Sequence, residues 1–419
     1  MSGLWRNEWR LLSRLRLTVW LLVVLTGISA LAVTNGLTAV ARQRAEITKL
    51  IPLQQGDLAH VRAQYALKGE AGYAAYFGFQ LTWDSPTPLA FAALGQRDFA
   101  PFVLRVRALA LQAQLHDSET FNPESALAGR FDFAFVLIFL APLFVIVLFH
   151  DLFSGEREAG RWRSLAAMPK ADSLWRRRAL LRYFLVAAAT LSPLIIGMLI
   201  SRPPVSAALA FMGVAAGYLA FWCLLSYWLA SRTGSSVAHA TRLLGAWVAL
   251  TIAIPVLASL VINRATPAES GVDLALAHRE AVHGAWEIPR EETMRRFVET
   301  HPEWKSAAAL GQGFQWKWYF AFHQNADESV VQQFQGYRES MFSRERAMRG
   351  VGWAVPPVGA QSLLHRLANT DLSAQLRYQD SISAFHARLR AHYYQYLFGN
   401  VTFNEREFDR APVFQPREK

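Results

Sequence analysis

The sequence predicts an all-α, polytopic helical membrane protein with five visible spans and two mainly helical extracytoplasmic segments. Five apolar runs (17–40, 131–149, 183–201, 205–230 and 243–262) have the roughly 17–25 residues that a bilayer-crossing helix needs. None of them contains Lys or Arg, and Asp132 stands only at the mouth of the second. In hydrocarbon every backbone polar group needs an internal partner, so such runs can only be helices. The composition agrees: 53% hydrophobic residues with 14 Trp and 27 Phe is too apolar for one soluble domain of 419 residues. About a quarter of the chain spans, and the remainder must fold in water.

Residues 1–16 form a cytoplasmic amphipathic helix. Leu4, Trp5, Trp9, Leu11, Leu12 and Leu15 recur at helical spacing, with Arg6, Arg10 and Arg14 on the other face. Trp and Arg together suit the headgroup plane, either as a plain positive anchor or as a contact element. The first span, 17–40, is about twice the h-region of a signal peptide, so it stays as an anchor. Residues 41–129 form an extracytoplasmic segment that continues span one as helix. It breaks at Asp84, Ser85, Pro86, Thr87 and Pro88, and a second helix is expected over 102–116. Residues 130–262 hold spans two to five, with a cytoplasmic loop at 150–182. Pro142, Pro193 and Pro255 kink spans two, three and five, and Ser201 to Pro204 closes a tight hairpin between three and four. Gly213 and Gly217 form a GxxxG pair, used for packing within the chain or as a dimer face. Residues 263–419 form the last extracytoplasmic domain. There Phe314, Trp316, Trp318, Phe320 and Phe322 alternate as in a strand, although Trp318 and Phe322 also fit one helix face.

Orientation follows from the cations. Arg6, Arg10, Arg14, Arg16, the eight Arg and Lys of 157–182, Arg232 and Arg242 put fourteen basic residues on one side. Arg42, Arg44, Lys49, Arg130, Arg202 and Arg264 put six on the other. Basic residues in short loops stay cytoplasmic, which places the N-terminus inside. The net charge of +11 is mostly this topological signal and does not call for nucleic acid. Cys223, the single cysteine, allows no intrachain disulfide.

No catalytic constellation or metal site is expected. There is no GxxxxGK[ST] loop and no HExxH, and His278 and His283 are five apart, so they diverge on a helix. The spans carry no row of acids or bases, which argues against an ion-coupled carrier. The polar element that stands out is the loop after span two: Gly155, Glu156, Arg157, Glu158, Gly160, Arg161, Trp162, Arg163 and, as a stop, Pro169. A helix capped by Asp172 or Ser173 is expected to follow. The loop reads as a solvated charged turn or as a docking element that passes force into spans two and three.

The stretch Phe153 to Gly160 (FSGEREAG), followed by Leu165 and Pro169, resembles the signature after the second span of ABC-2-type permeases. Ser85 to Asp98 with Pro101 is similar to the outer segment of the DUF3526 subgroup, often labelled permeases for multicopper-enzyme maturation. Trp353 to Pro357, Leu367 to Asp371 and Phe385 are similar to its late outer domain. The resemblance implies an export subunit in a bacterial inner membrane, paired with a second permease copy or a related permease. It also implies separate ABC ATPase subunits that bind ATP and Mg, with no cofactor on this chain. The loop, Gly155 to Pro169, would then be the ATPase-coupling element, and charge reversal at Glu156 and Glu158 its probe. Trp5, Trp9 and Arg10 would serve as an interfacial helix. Two departures stand out. The family's Gly-Thr-Leu-Arg is replaced by Gly160, Arg161, Trp162 and Arg163, and a sixth span is expected where none follows Ile262. The rival reading is a membrane-anchored assembly or receptor protein whose outer domains bind a periplasmic partner without transport.

Overall fold

The computed structural model describes residues 2–116, 131–168, 171–267, 270–399 and 401–416. Its long helices are α1 (Ser2–Arg14), α2 (Arg16–Gln64), α3 (133–149), α4 (Ala171–Ser201), α5 (Val205–Ser231) and α6 (Ser236–Ala265). They are followed by α7 (Gly271–Gly284), α8 (Arg290–Thr300), α9 (Trp316–Ser329), α10 (Val331–Ala354), α11 (Pro356–Ala368) and α12 (Leu372–Leu397). Five helices, α2 to α6, are long and apolar enough to cross a membrane. The helix of the third apolar run is described from Ala171 onward, with Asp172 and Ser173 inside its range. Pro169 lies outside the described residues.

Two interruptions in the bundle share one cause. A π turn, Val136–Leu140, lies just before Pro142 in α3, and a second, Ala249–Ala253, lies just before Pro255 in α6. Proline has no N–H to give and its ring crowds the carbonyl four residues back, and a widened turn relieves both. The carbonyls around the first turn are taken up by neighbouring spans. Tyr218 of α5 donates its hydroxyl to Ile138 O at 2.8 Å, and Trp247 Nε1 of α6 donates to Phe139 O at 3.2 Å.

At one end of the bundle, the domain end, residues 89–95 wedge among the helices as a short irregular plug. Leu89 through Leu94 are buried, and Phe91 reaches both α2 and α4. A Cβ at Gly36 would stand 1.9 Å from Phe91 O, and one at Gly197 would stand 2.6 Å from its ring, so both contacts require glycine. Non-helical backbone here needs partners. Asp132 accepts from Leu94 N and from Phe135 N, both at 2.8 Å. Thr370 Oγ1 donates to Ala93 O at 2.7 Å, Gln96 N donates to Thr370 O at 2.8 Å, and Thr87 Oγ1 donates to Ala368 O at 2.5 Å. Helix α11 completes the seal, with Ala360, Leu364 and Ala368 joining the core of the spans.

Beyond the plug, the segment after span one and the last segment share a single core. Helix α2 has 49 residues, about 73 Å at 1.5 Å per residue against a hydrocarbon thickness of about 30 Å. Its far end therefore stands among these elements, and Val61 belongs to the same buried cluster as Phe297, Phe385 and Tyr393. The helix expected over 102–116 is only partly present. Val103–Val106 is a strand paired antiparallel with Gln80–Trp83, and only Gln112–His116 is helical. The sequence there, VLRV, is β-branched and alternating, and the partner strand lies twenty residues upstream. The alternating aromatics form helix α9. Trp316 and Tyr319 pack on Tyr76, while Trp318 and Phe322 pack on Trp286. A helix covered on two sides carries aromatics on both, which produces the strand-like period.

Residues 107–113 are held onto this core by buried polar groups. Asp327 Oδ1 accepts from Leu111 N at 3.0 Å, Gln112 N at 3.2 Å and His278 Nε2 at 2.8 Å, while Ala113 N donates to His278 Nδ1 at 3.2 Å. Arg390 forms an ion pair with Asp327 Oδ2 at 2.7 Å and donates through Nε to Ala108 O at 3.2 Å. Burial alone would raise the Asp327 pKa, but Arg390 and the His278 bond hold it well below the ordinary carboxylate range. Burial, then Arg390, push His386 and His323 down to about 3. His386 donates to Leu109 O at 2.6 Å, and both nitrogens of His323 lack a partner. Two histidines kept neutral in the fold leave the full stability in place above pH ~6.5, where the unfolded chain's histidines are neutral as well. That stability is lost as pH falls toward 3, at on the order of 1 kcal/mol per pH unit for each. The hydrogen-exchange protection of α9 and α12 in the full chain, corrected for the intrinsic rate at each pH, is thus expected to fall from pH 7 to pH 4.5. His323→Phe, which keeps the stack on Phe322, is expected to flatten the dependence; an equal slope in the variant would rule out His323 as a source.

Candidate functional site

At the opposite end of the bundle, the loop end, residues 150–168 connect α3 to α4 through two short helical turns, Ser154–Glu158 and Trp162–Ala166. Phe153 is buried and fixes the first turn, with its ring 4.7 Å from Trp175 of α4 and 5.3 Å from Tyr227 of α5. A Cβ at Gly155 would meet Asp151 at an ordinary 3.6 Å, so that position does not demand glycine, whereas Gly160 follows the turn with φ +73, a value that favours glycine. Trp162 then stacks on Trp175 at 5.4 Å, with the Arg157 guanidinium 4.6 Å from its ring.

Every charged side chain of the first turn is bonded to a neighbouring helix. Glu156 accepts from Arg161 Nε at 2.6 Å and from Arg178 Nη1 at 2.8 Å. Arg178 Nε in turn donates to Glu8 of α1 at 2.9 Å. Arg157 donates to Arg232 O at 3.0 Å and Ser231 O at 3.4 Å, the last carbonyls of α5, where a cation satisfies open acceptors and complements the helix dipole. Glu158 accepts from Ser236 N at 2.8 Å and Ser236 Oγ at 3.0 Å, which caps the start of α6. Ser154 Oγ lies 2.8 Å from the same Ser236 hydroxyl. One five-residue turn therefore bonds α4, α5 and α6, is linked to α1 through Arg178, and is joined to α3 through the chain.

The two carboxylates singled out in the sequence are thus engaged within the chain, and the exposed edge of the loop is Ala159 to Arg161, Arg163 and Met168. Of the interfacial residues, Trp5 is half-buried, while Trp9 and Arg10 are exposed. Gly213 and Gly217 lie on an exposed face of α5, and a Cβ at either would meet nothing within 4 Å, so packing within this chain does not use them. Sequence reasoning missed Glu8 and Arg178, the link between α1 and the loop. One signal was available: Glu8 is the sole acid before Glu46, in a stretch of four arginines. Among the described residues, no group of three or more His, Cys, Asp or Glu is placed to hold a metal ion.

Residues 272–417, about a third of the chain, match the family model described as a domain of unknown function (DUF3526). No curated protein and no solved structure matches the chain. The match contains Thr370 and Asp371 but not the loop or the plug. Structurally, though, the plug and the matched region are one unit, since the Thr370 bonds join residues 277 positions apart.

Arg178 serves two carboxylates at once, so Arg178→Ala leaves Glu8 without this cation and Glu156 with only the exposed Arg161. We expect a loss on the order of 2 kcal/mol, less than for a fully buried pair because Glu156 keeps contact with water. In detergent the melting midpoint should fall and α1 should become accessible to protease. A midpoint and cleavage pattern like the wild type would show that this link carries no weight.

Proposed function

We propose that the chain is the membrane-spanning subunit of an ATP-driven exporter of the ABC-2 type, in a bacterial inner membrane with its N-terminus and loop end in the cytoplasm. The observation that carries this reading is the loop turn itself, bonded to α4, to the end of α5 and to the start of α6, and linked through Arg178 to Glu8 of α1. A force applied to its exposed edge would reach every span, which is what coupling to a separate ATPase demands. The fourteen-to-six division of basic residues supports the orientation. The plug at the domain end supports an exit held shut in this conformation, since Phe91 fills the space between α2 and α4. ATP and Mg would bind on partner ATPase subunits, and the open Gly213 and Gly217 face of α5 is available to a second permease. For ATP to drive the cycle, the ATPase must bind the two conformations with different affinity.

Because Glu156 and Glu158 bond within the chain, reversing them would disturb the helix ends as well as any contact with a partner. Arg163 is exposed and free of that network, and it is the better probe. Affinity purification of the tagged chain in mild detergent is expected to bring down a P-loop ATPase. Arg163→Glu is expected to weaken that association roughly tenfold, the scale of one charge-assisted contact, with an unchanged melting midpoint. A stable, inserted wild-type chain that retains no ATPase would instead favour the anchored assembly or receptor protein.

A further inference from the structure

At the domain end, beside the plug, lies a cleft of about 390 Å³. Its apolar floor includes Trp83, Leu89, Pro204, Ala207, Leu367 and Phe414, drawn from the β hairpin, the plug, the α4–α5 connection, α11 and the C-terminal stretch. Most of its polar lining is already engaged. Asp84 is paired with Arg97, Tyr378 Oη is 3.2 Å from Thr82 Oγ1, and Ser381 Oγ donates to Tyr378 O at 2.6 Å. Arg377 differs. It is exposed, its one bond is to the neutral amide oxygen of Asn369 at 2.7 Å, and it has no carboxylate partner among the described residues. With Asp84 neutralised, the charge facing the cleft is that of one guanidinium with donors to spare.

The depth of the cleft is set by α5. Ala207 in its wall belongs to the first turns of that helix, and Val205 and Leu209 of the same turns are apolar and 74% and 64% exposed, as suits contact with lipid tails. The floor is therefore level with the edge of the hydrocarbon, and Arg377 stands at its rim. A small anion would leave the apolar floor wet. A zwitterionic head would bring a cation to a site whose only acid is already paired.

We propose that this cleft holds a phospholipid with an anionic headgroup, taken from the leaflet at the domain end. The phosphate sits on Arg377, and the upper acyl chain lies along Leu89, Pro204, Ala207 and Leu367. The site would make a bilayer lipid part of the wall beside the plug. This rests on the membrane placement of the preceding reading and not on coupling to ATP.

Native mass spectrometry of the full chain in mild detergent, with phosphatidylglycerol and phosphatidylcholine at equal concentration, tests it. We expect preferential retention of phosphatidylglycerol by the wild type. Arg377→Glu should weaken that retention about tenfold, the effect of one hydrogen bond to a charged group. Ala207→Trp, which fills the floor, should reduce retention whatever the headgroup. Wild-type retention in both variants overturns the proposal. So does a site at which inorganic phosphate competes as well as the lipid, since that would be an anion site without an acyl component. The measurement needs no ATPase, so a failed co-purification with Arg377-dependent lipid retention would remove the exporter reading and leave this one standing.

Discussion

A backbone group in hydrocarbon has no water to bond, and the structure is organised by how that demand is met wherever the chain leaves regular helix. At Pro142 the answer is a π turn and the Tyr218 hydroxyl. At the plug it is the Asp132 carboxylate, which serves Leu94 N and Phe135 N together, and the Thr370 hydroxyl on Ala93 O. Each solution ties two parts of the chain that are distant in sequence. The plug in particular can lie among the spans only because the last segment of the chain supplies one of its partners. The domain end therefore cannot separate from the bundle without stranding polar groups.

The loop end is built on the same economy with different chemistry. The first and last turns of helices leave N–H and C=O groups open, and the Ser154–Glu158 turn supplies a carboxylate to the start of α6 and a guanidinium to the end of α5. Glu156 and Arg178 extend this to α1. The charges that make this loop stand out in sequence are thus largely spent on the protein itself. What remains for an external partner is the glycine-ended edge and Arg163, a smaller and more specific surface than the charge pattern suggests.

Much of this was legible in the residues. Five runs without Lys or Arg identify the five long apolar helices, because burial of a charge in lipid is costly enough to leave a clear mark on composition. The 84–98 and 367–371 stretches were each recognisable, but that they bond to each other was not, because hydrogen bonds across 277 residues leave no periodic trace. The Val103–Val106 strand looks helical in the sequence because its partner strand, Gln80–Trp83, lies inside a region that otherwise reads as helix. Glu8 was passed over as part of a basic amphipathic stretch. Its meaning appears only when Arg178 is placed beside it.

Helix α2 connects these two ends. It begins against α1, which Arg178 ties to the loop, passes Phe91 at Gly36, and ends in the outer core, where Arg62 bonds Asp409 at 2.9 and 3.0 Å. It is a single helix throughout, with Pro52 accommodated inside it. A rod of about 73 Å that tilts by about 5° moves one end by roughly 6 Å relative to the other. At Gly36, about 30 Å along the helix, the same tilt gives roughly 3 Å, still incompatible with the close seat of Phe91, where a single added carbon would already overlap. The plug and the tilt of α2 are therefore not independent variables. A shift of α2 relative to α4 must either be resisted at Phe91 or displace it, because its backbone sits against Gly36 and its ring against Gly197.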